Sequence, residues 1–153
     1  MKKIFLLFVF IILFGGYAIP QDSIFIPYDN IILLDASDFE DSTWILNNDD
    51  IVRVKGEIEK FLINPNVDNS YDSLSVIKIR SNIKNYSVQL SGEYRDGRKI
   101  IWCNFFPTSD LKYLKYDLTK IPHIVMDGGY FYWSITFEIE RNMLFNFFVN
   151  GEA

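Results

Sequence analysis

Tyr86-Ser87-Val88-Gln89-Leu90-Ser91-Gly92-Glu93-Tyr94-Arg95-Asp96-Gly97-Arg98-Lys99-Ile100-Ile101-Trp102-Cys103-Asn104-Phe105 alternates apolar or small residues with polar ones on either side of Asp-Gly. Period-two alternation marks half-buried strands, and Asp-Gly between two such runs is a strong short-range hairpin signal. A two-residue turn at Asp96-Gly97 sets Gly92 opposite Ile101, Leu90 opposite Cys103 and Val88 opposite Phe105. The other face then pairs Glu93 with Ile100, Ser91 with Trp102 and Gln89 with Asn104. A slip of one residue would mix the two faces, so the register is internally determined.

Toward the C-terminus, Phe106 to Asp110 closes this hairpin and Leu111 to Pro122 reads as a crossing loop with one helical turn. Ile124-Val125-Met126 is expected to begin another strand, bent at Asp127-Gly128-Gly129, because paired glycines permit a bulge. Phe131, Trp133, Ile135, Phe137 and Ile139 then alternate with polar residues and require a partner strand. A two-residue turn at Arg141-Asn142 would put Asn146 opposite Phe137. A three-residue loop, Arg141-Asn142-Met143, instead pairs Ile139 with Phe145, Phe137 with Phe147 and Ile135 with Val149, and is the expected arrangement; Asn142 tolerates the left-handed conformation such loops need.

Toward the N-terminus, one helix is expected. Asn47 and Asp50 resemble a capping box, Asp49 and Asp50 suit the positive end of the helix dipole, and Ile51, Val54, Ile58, Phe61 and Leu62 recur at steps of three and four. Asn64-Pro65-Asn66 stops it. From Leu74 onward the period is read as two. An amphipathic helix followed by two hairpins predicts an α+β domain over 44–153: one N-terminal helix packed on a curved antiparallel sheet of about four strands. Residues 19–43 read as an extended arm with one short edge strand at most. Met1-Lys2-Lys3, the apolar run Ile4 to Phe14 and Gly15-Gly16-Tyr17-Ala18 match a secretory signal peptide over 1–18. The run is short for a membrane span, which needs about 20 residues.

Export is therefore expected, to the periplasm or beyond, with anchoring through an uncleaved signal as the alternative. Of 15 Lys and Arg against 20 Asp and Glu, two lysines lie in that segment, leaving a formal charge of −7. An acidic chain argues against nucleic acid, which needs a basic face, and against electrostatic attachment to anionic lipid. Cys103 is the one cysteine, so no intrachain disulfide can form, and its register points it into the core as a small apolar residue.

Gln89 to Tyr94, Lys99 to Phe106, Asp127-Gly128-Gly129-Tyr130-Phe131 and Asn150-Gly151-Glu152-Ala153 resemble a group of small uncharacterised exported bacterial proteins. The likeness covers roughly Trp44 to the C-terminus. It implies a cystatin-like or nuclear-transport-factor-like α+β domain and carries no activity with it.

No catalytic constellation is evident. His123 is the single histidine, which excludes His-His metal pairs; with Asp127 it could form an acid-base pair. Asp35, Asp38, Glu40 and Asp41 cluster without the glycine a calcium loop needs, and no metal or cofactor is expected. Gln89-x-x-Gly92 departs from the cystatin inhibitory signature and sits mid-strand. Opposite the helix, Trp102, Phe106, Tyr132 and Phe148 stand among polar neighbours and form the candidate face for an unidentified protein or small ligand. The expected role is a non-catalytic binding module; the alternative is a small enzyme of nuclear-transport-factor-like shape with the acid-base pair in the cone of the sheet.

Overall fold

The computed structural model describes residues 26–35, 43–65 and 73–151. The expected signal at 1–18 lies outside them, as do most of the arm and Asp38, Glu40 and Asp41. The architecture is α+β: two helices and an open five-stranded mixed sheet, with strands in the order β1-β2-β3-β4-β5. The strands are β1 (Ile31–Leu33), β2 (Tyr86–Arg95), β3 (Arg98–Pro107), β4 (Trp133–Glu138) and β5 (Met143–Val149), and the helices are α1 (Asn48–Ile63) and α2 (Ser73–Asn82). Among these residues no helix is long and apolar enough to cross a membrane.

The β2–β3 hairpin has the predicted register from Gly92–Ile101 to Val88–Phe105. Asp96 (φ 51°) and Gly97 (φ 74°) supply the two left-handed residues that a tight primed turn requires. Helix α1 also matches its prediction. Asp50 N donates to Asn47 Oδ1 and Asn47 N donates to Asp50 Oδ2, both at 3.0 Å, so two of the orphan N–H groups at the helix start are satisfied reciprocally.

The sheet differs from the expectation in four ways. First, β1 pairs in parallel with β2, Ile31 beside Val88 and Leu33 beside Leu90, so the short edge strand expected in the arm makes the sheet mixed. Second, residues 73–82, read as the onset of a strand pattern, form α2; Val76, Ile79 and, just beyond it, Ile83 are buried, a three-four spacing hidden among alternating β-branched residues. Third, Ile124 to Met126 form no strand, and the chain there is irregular up to a short 3-10 turn at Gly129–Phe131. Fourth, the loop between β4 and β5 is longer than three residues. Glu138 pairs with Met143, Phe137 with Leu144 and Thr136 with Phe145, and a bulge shifts the pairing to Ser134–Phe148 and Trp133–Val149. Asn146 sits in the bulge at φ 49°. It takes the extra position, so an amide is not forced opposite Ile135 and Phe147 still turns into the core.

Ile51, Val54, Ile58 and Leu62 of α1, with Val76 and Ile79 of α2, pack on Val88, Leu90, Ile101, Cys103, Phe105, Trp133, Ile135, Phe137 and Phe147. Phe105 and Trp133 stack at 3.7 Å between ring centroids. Cys103 is fully buried, and that burial pushes its thiol well above the ordinary range. Gly92 is required by a close approach: a Cβ there would stand 2.4 Å from Trp44 O.

Candidate functional site

The face of the sheet away from the helices carries Gln89 from β2, Trp102, Asn104 and Phe106 from β3, and Ser134 from β4. The crossing loop from Thr108 to Tyr132 lies over part of it, held by side-chain amides. Gln89 Nε2 donates to Leu118 O (2.8 Å) and Ile121 O (2.9 Å), while its Oε1 accepts from His123 N (2.7 Å) and Asn104 Nδ2 (3.2 Å). Asn104 Nδ2 also donates to His123 O at 2.8 Å. Irregular backbone needs partners for its polar groups when water is excluded, and here the buried amide of Gln89 and the part-buried one of Asn104 provide them.

That clamp fixes His123. Its ring is buried, with Nδ1 2.5 Å from Tyr116 Oη and Nε2 3.2 Å from Asp110 Oδ2. Asp110 Oδ2 also accepts from Tyr132 Oη at 2.8 Å, and the Phe106 ring meets the imidazole edge-on at 4.8 Å. A neutral ring protonated at Nε2 satisfies every member: it donates to Asp110 and accepts from Tyr116. Burial first, then the hydrogen bond to Asp110 and the charges of Asp110 and Asp127, push the Tyr132 phenol up to about 12. Burial and the Asp110 charge raise Tyr116 as well.

Beside this cluster Trp102, Tyr132, His123, Ser134 and Phe148 line a concavity of about 190 Å³. Around its mouth Ile124 is 65% exposed, Met126 88% and Phe148 60%. Three of the four residues chosen from the sequence, Trp102, Tyr132 and Phe148, thus meet at one place. Phe106 does not line it; it is fully buried and supports His123 from below, because its register puts it under the loop rather than beyond it. The suggested pairing of His123 with Asp127 is not what the fold builds. Both ring nitrogens face Asp110 and Tyr116, while Asp127 is exposed and its carbonyl accepts from Asn150 Nδ2 at 3.1 Å.

Sequence reasoning missed Asp110 and the clamping role of Gln89. A glutamine in mid-strand facing an asparagine across the hairpin was the available signal, since a polar pair buried together must find something to bond. Among the described residues no group of three or more His, Cys, Asp or Glu side chains is placed to hold a metal ion. Comparisons with protein families, curated proteins and solved structures find no match.

Proposed function

We propose that this chain is an exported, non-catalytic binding module whose Trp102–Tyr132–Phe148 face takes a protein partner. The observation that carries the reading is the ring of exposed Ile124, Met126 and Phe148 around an aromatic floor, since apolar groups gathered on a surface mark association sites. The concavity is smaller than small-molecule pockets, which run from about 300 to 1,000 Å³, so a protein partner fits it better than a free ligand. The acidic composition argues for a partner other than nucleic acid or anionic lipid. Export rests on residues 1–18, and the cystatin-like or nuclear-transport-factor-like kinship on the sequence stretches quoted above.

The test is enrichment from the exported fraction with the parent chain and with a Met126→Ser, Phe148→Ser double variant. A stoichiometric companion retained by the parent and lost by the variant supports the reading; a variant that retains every companion ends it. Mass spectrometry of the N-terminus separates release, with a start near Ile19, from anchoring, with Met1 or Lys2 retained.

A second reading is an acid-base enzyme of similar shape. It is favoured by His123 and Tyr132 lining the concavity with Asp110 behind them, a constellation suited to proton transfer. Turnover of any substrate that His123→Gln abolishes while the fold is retained would favour it over the first.

A further inference from the structure

Where β2 begins and β3 ends, Asn30, Asn82, Lys84, Asn85, Ser109 and Phe131 surround a second pocket, of about 480 Å³. This volume falls within the small-molecule range of about 300 to 1,000 Å³. Its wall carries more amides than the Trp102 face. Tyr86, Pro107 and Phe131 give it an apolar part, the amides of Asn30, Asn82 and Asn85 and the hydroxyls of Thr108 and Ser109 a neutral polar part, Lys84 is its one charge, and no carboxylate lines it among the described residues. Amides and hydroxyls both donate and accept, whereas carboxylates only accept and ammonium groups only donate. The ligand best matched to such a wall carries groups that also do both, and those are hydroxyls. A metal cation would find no anionic ligand here, and an anion would find a single lysine.

The wall is held in place before any ligand arrives. Asn30 Nδ2 donates to Tyr86 O and Asn82 Nδ2 to Lys78 O, each at 2.9 Å. Tyr86 Oη donates to Tyr130 O at 2.7 Å, and Tyr130 backs the Phe131 ring at 4.3 Å between centroids and 30° between planes. Phe131 is 46% exposed, so a supported aromatic face meets two amides, of Asn30 and Asn82, that are already fixed. A pyranose matches both halves: its axial C–H groups form an apolar face that covers an aromatic ring, and its hydroxyl edge answers the amides. Fixing these groups in advance reduces the ordering cost of binding.

We propose that this pocket binds a sugar ring, free or at the end of a glycan chain. The site is separate from the Trp102 face and stands or falls independently of it.

The test uses the full chain. Saturation-transfer NMR with D-glucose, D-galactose and N-acetyl-D-glucosamine, each titrated to about 10 mM to suit weak binding, runs beside a glycan array. Saturable binding is expected in at least one arm. Monosaccharide binding assigns the site to free sugar, and array binding alone assigns it to a chain end. Phe131→Ser should weaken binding about tenfold and Asn85→Ala at least about threefold, with the thermal midpoint of Asn85→Ala unchanged. Should Phe131→Ser fail to fold because Tyr130 loses its partner, Asn85→Ala carries the test alone. Absence of saturable binding in both arms, or folded variants that bind as tightly as the parent, overturns the proposal.

Discussion

The two faces of the sheet are closed by opposite means. Under α1 and α2 the strands present Val88, Leu90, Cys103, Phe105, Trp133, Ile135 and Phe137, and the seal is apolar contact. On the other face Ile100 and Phe106 are buried, but so are Gln89, Thr136 and Glu138, the last between Arg98 (3.7 Å) and Arg141 (3.2 Å), and the loop there is held by hydrogen bonds from Gln89. Apolar burial is non-directional and tolerates adjustment, whereas a buried amide network loses most when one member is removed. The helix-covered face therefore carries the stability of the fold, and the loop-covered face carries its shape.

The largest effect should come from breaking the apolar seal. Phe105→Ala removes a fully buried ring stacked on Trp133 and edge-on to Tyr86. Deleting such a side chain costs about 3–5 kcal/mol, a large part of the roughly 5–15 kcal/mol available to a domain. Urea unfolding should show a midpoint collapse or no cooperative transition; a midpoint close to the parent's would contradict the division between faces.

Gln89→Leu attacks the polar seal with a side chain of similar size. Four hydrogen bonds disappear, leaving Leu118 O, Ile121 O and His123 N to find other partners. An unsatisfied buried group costs about 1–3 kcal/mol, and water admitted by the loosened loop recovers part of the loss, so about 2 kcal/mol is expected. Hydrogen exchange distinguishes this from the core deletion: protection should fall between Asp110 and Met126 while the amides of β2 and β3 keep theirs. Uniform loss over the whole sheet would mean that the loop is no separate layer.

The same contrast explains which parts could be read from sequence. The β2–β3 register was legible because both faces agreed and Asp96-Gly97 allowed one turn; α1 was legible because its cap and its stripe coincide. Helix α2 was obscured by Leu74 and Ile77, which are exposed and give two short strand-like steps, Leu74 to Val76 and Ile77 to Ile79, of opposite phase. The β5 register failed on Asn146, since uniform pairing has no place for a residue that is set aside in a bulge. Parallel pairing of β1 depends on a partner more than fifty residues away, which no local pattern encodes. At the site, alternation brought out Trp102, Tyr132 and Phe148, because strand period decides which residues share a face. The contact of His123 with Asp110 joins two points of an irregular loop, and its geometry follows from the Gln89 clamp rather than from spacing.

Tyr132 tests that clamp by titration. Its phenol is raised from 10.0 to about 12 in the folded chain, so folding favours the protonated form. The resulting stability is fully present below about pH 10 and is lost as pH rises through about 12. Tyr86 and Cys103 are raised by burial too and add to the alkaline decline, so the measurement is a difference. Tyr132→Phe should lose about 1 kcal/mol at neutral pH, from its hydrogen bond to Asp110, and its urea midpoint should fall less steeply than the parent's between pH 10 and 12. Parallel declines in the two proteins would detach Tyr132 from the Asp110 cluster.

The smallest stability effect is expected at the rim of the proposed partner site. Phe148 stands on edge strand β5 with 60% of its surface in water, so Phe148→Ser gives up little burial and should change the unfolding free energy measured in urea by no more than about 0.5 kcal/mol. A fold gains nothing appreciable from an exposed phenylalanine on the rim of a concavity, and exposed apolar strand edges invite unwanted association. The proposed partner site would give that exposed ring a use outside the fold. If Phe148→Ser destabilised the chain as strongly as Gln89→Leu, the ring would belong to the polar seal, and the case for a partner at Trp102 would lose its reason for an exposed rim.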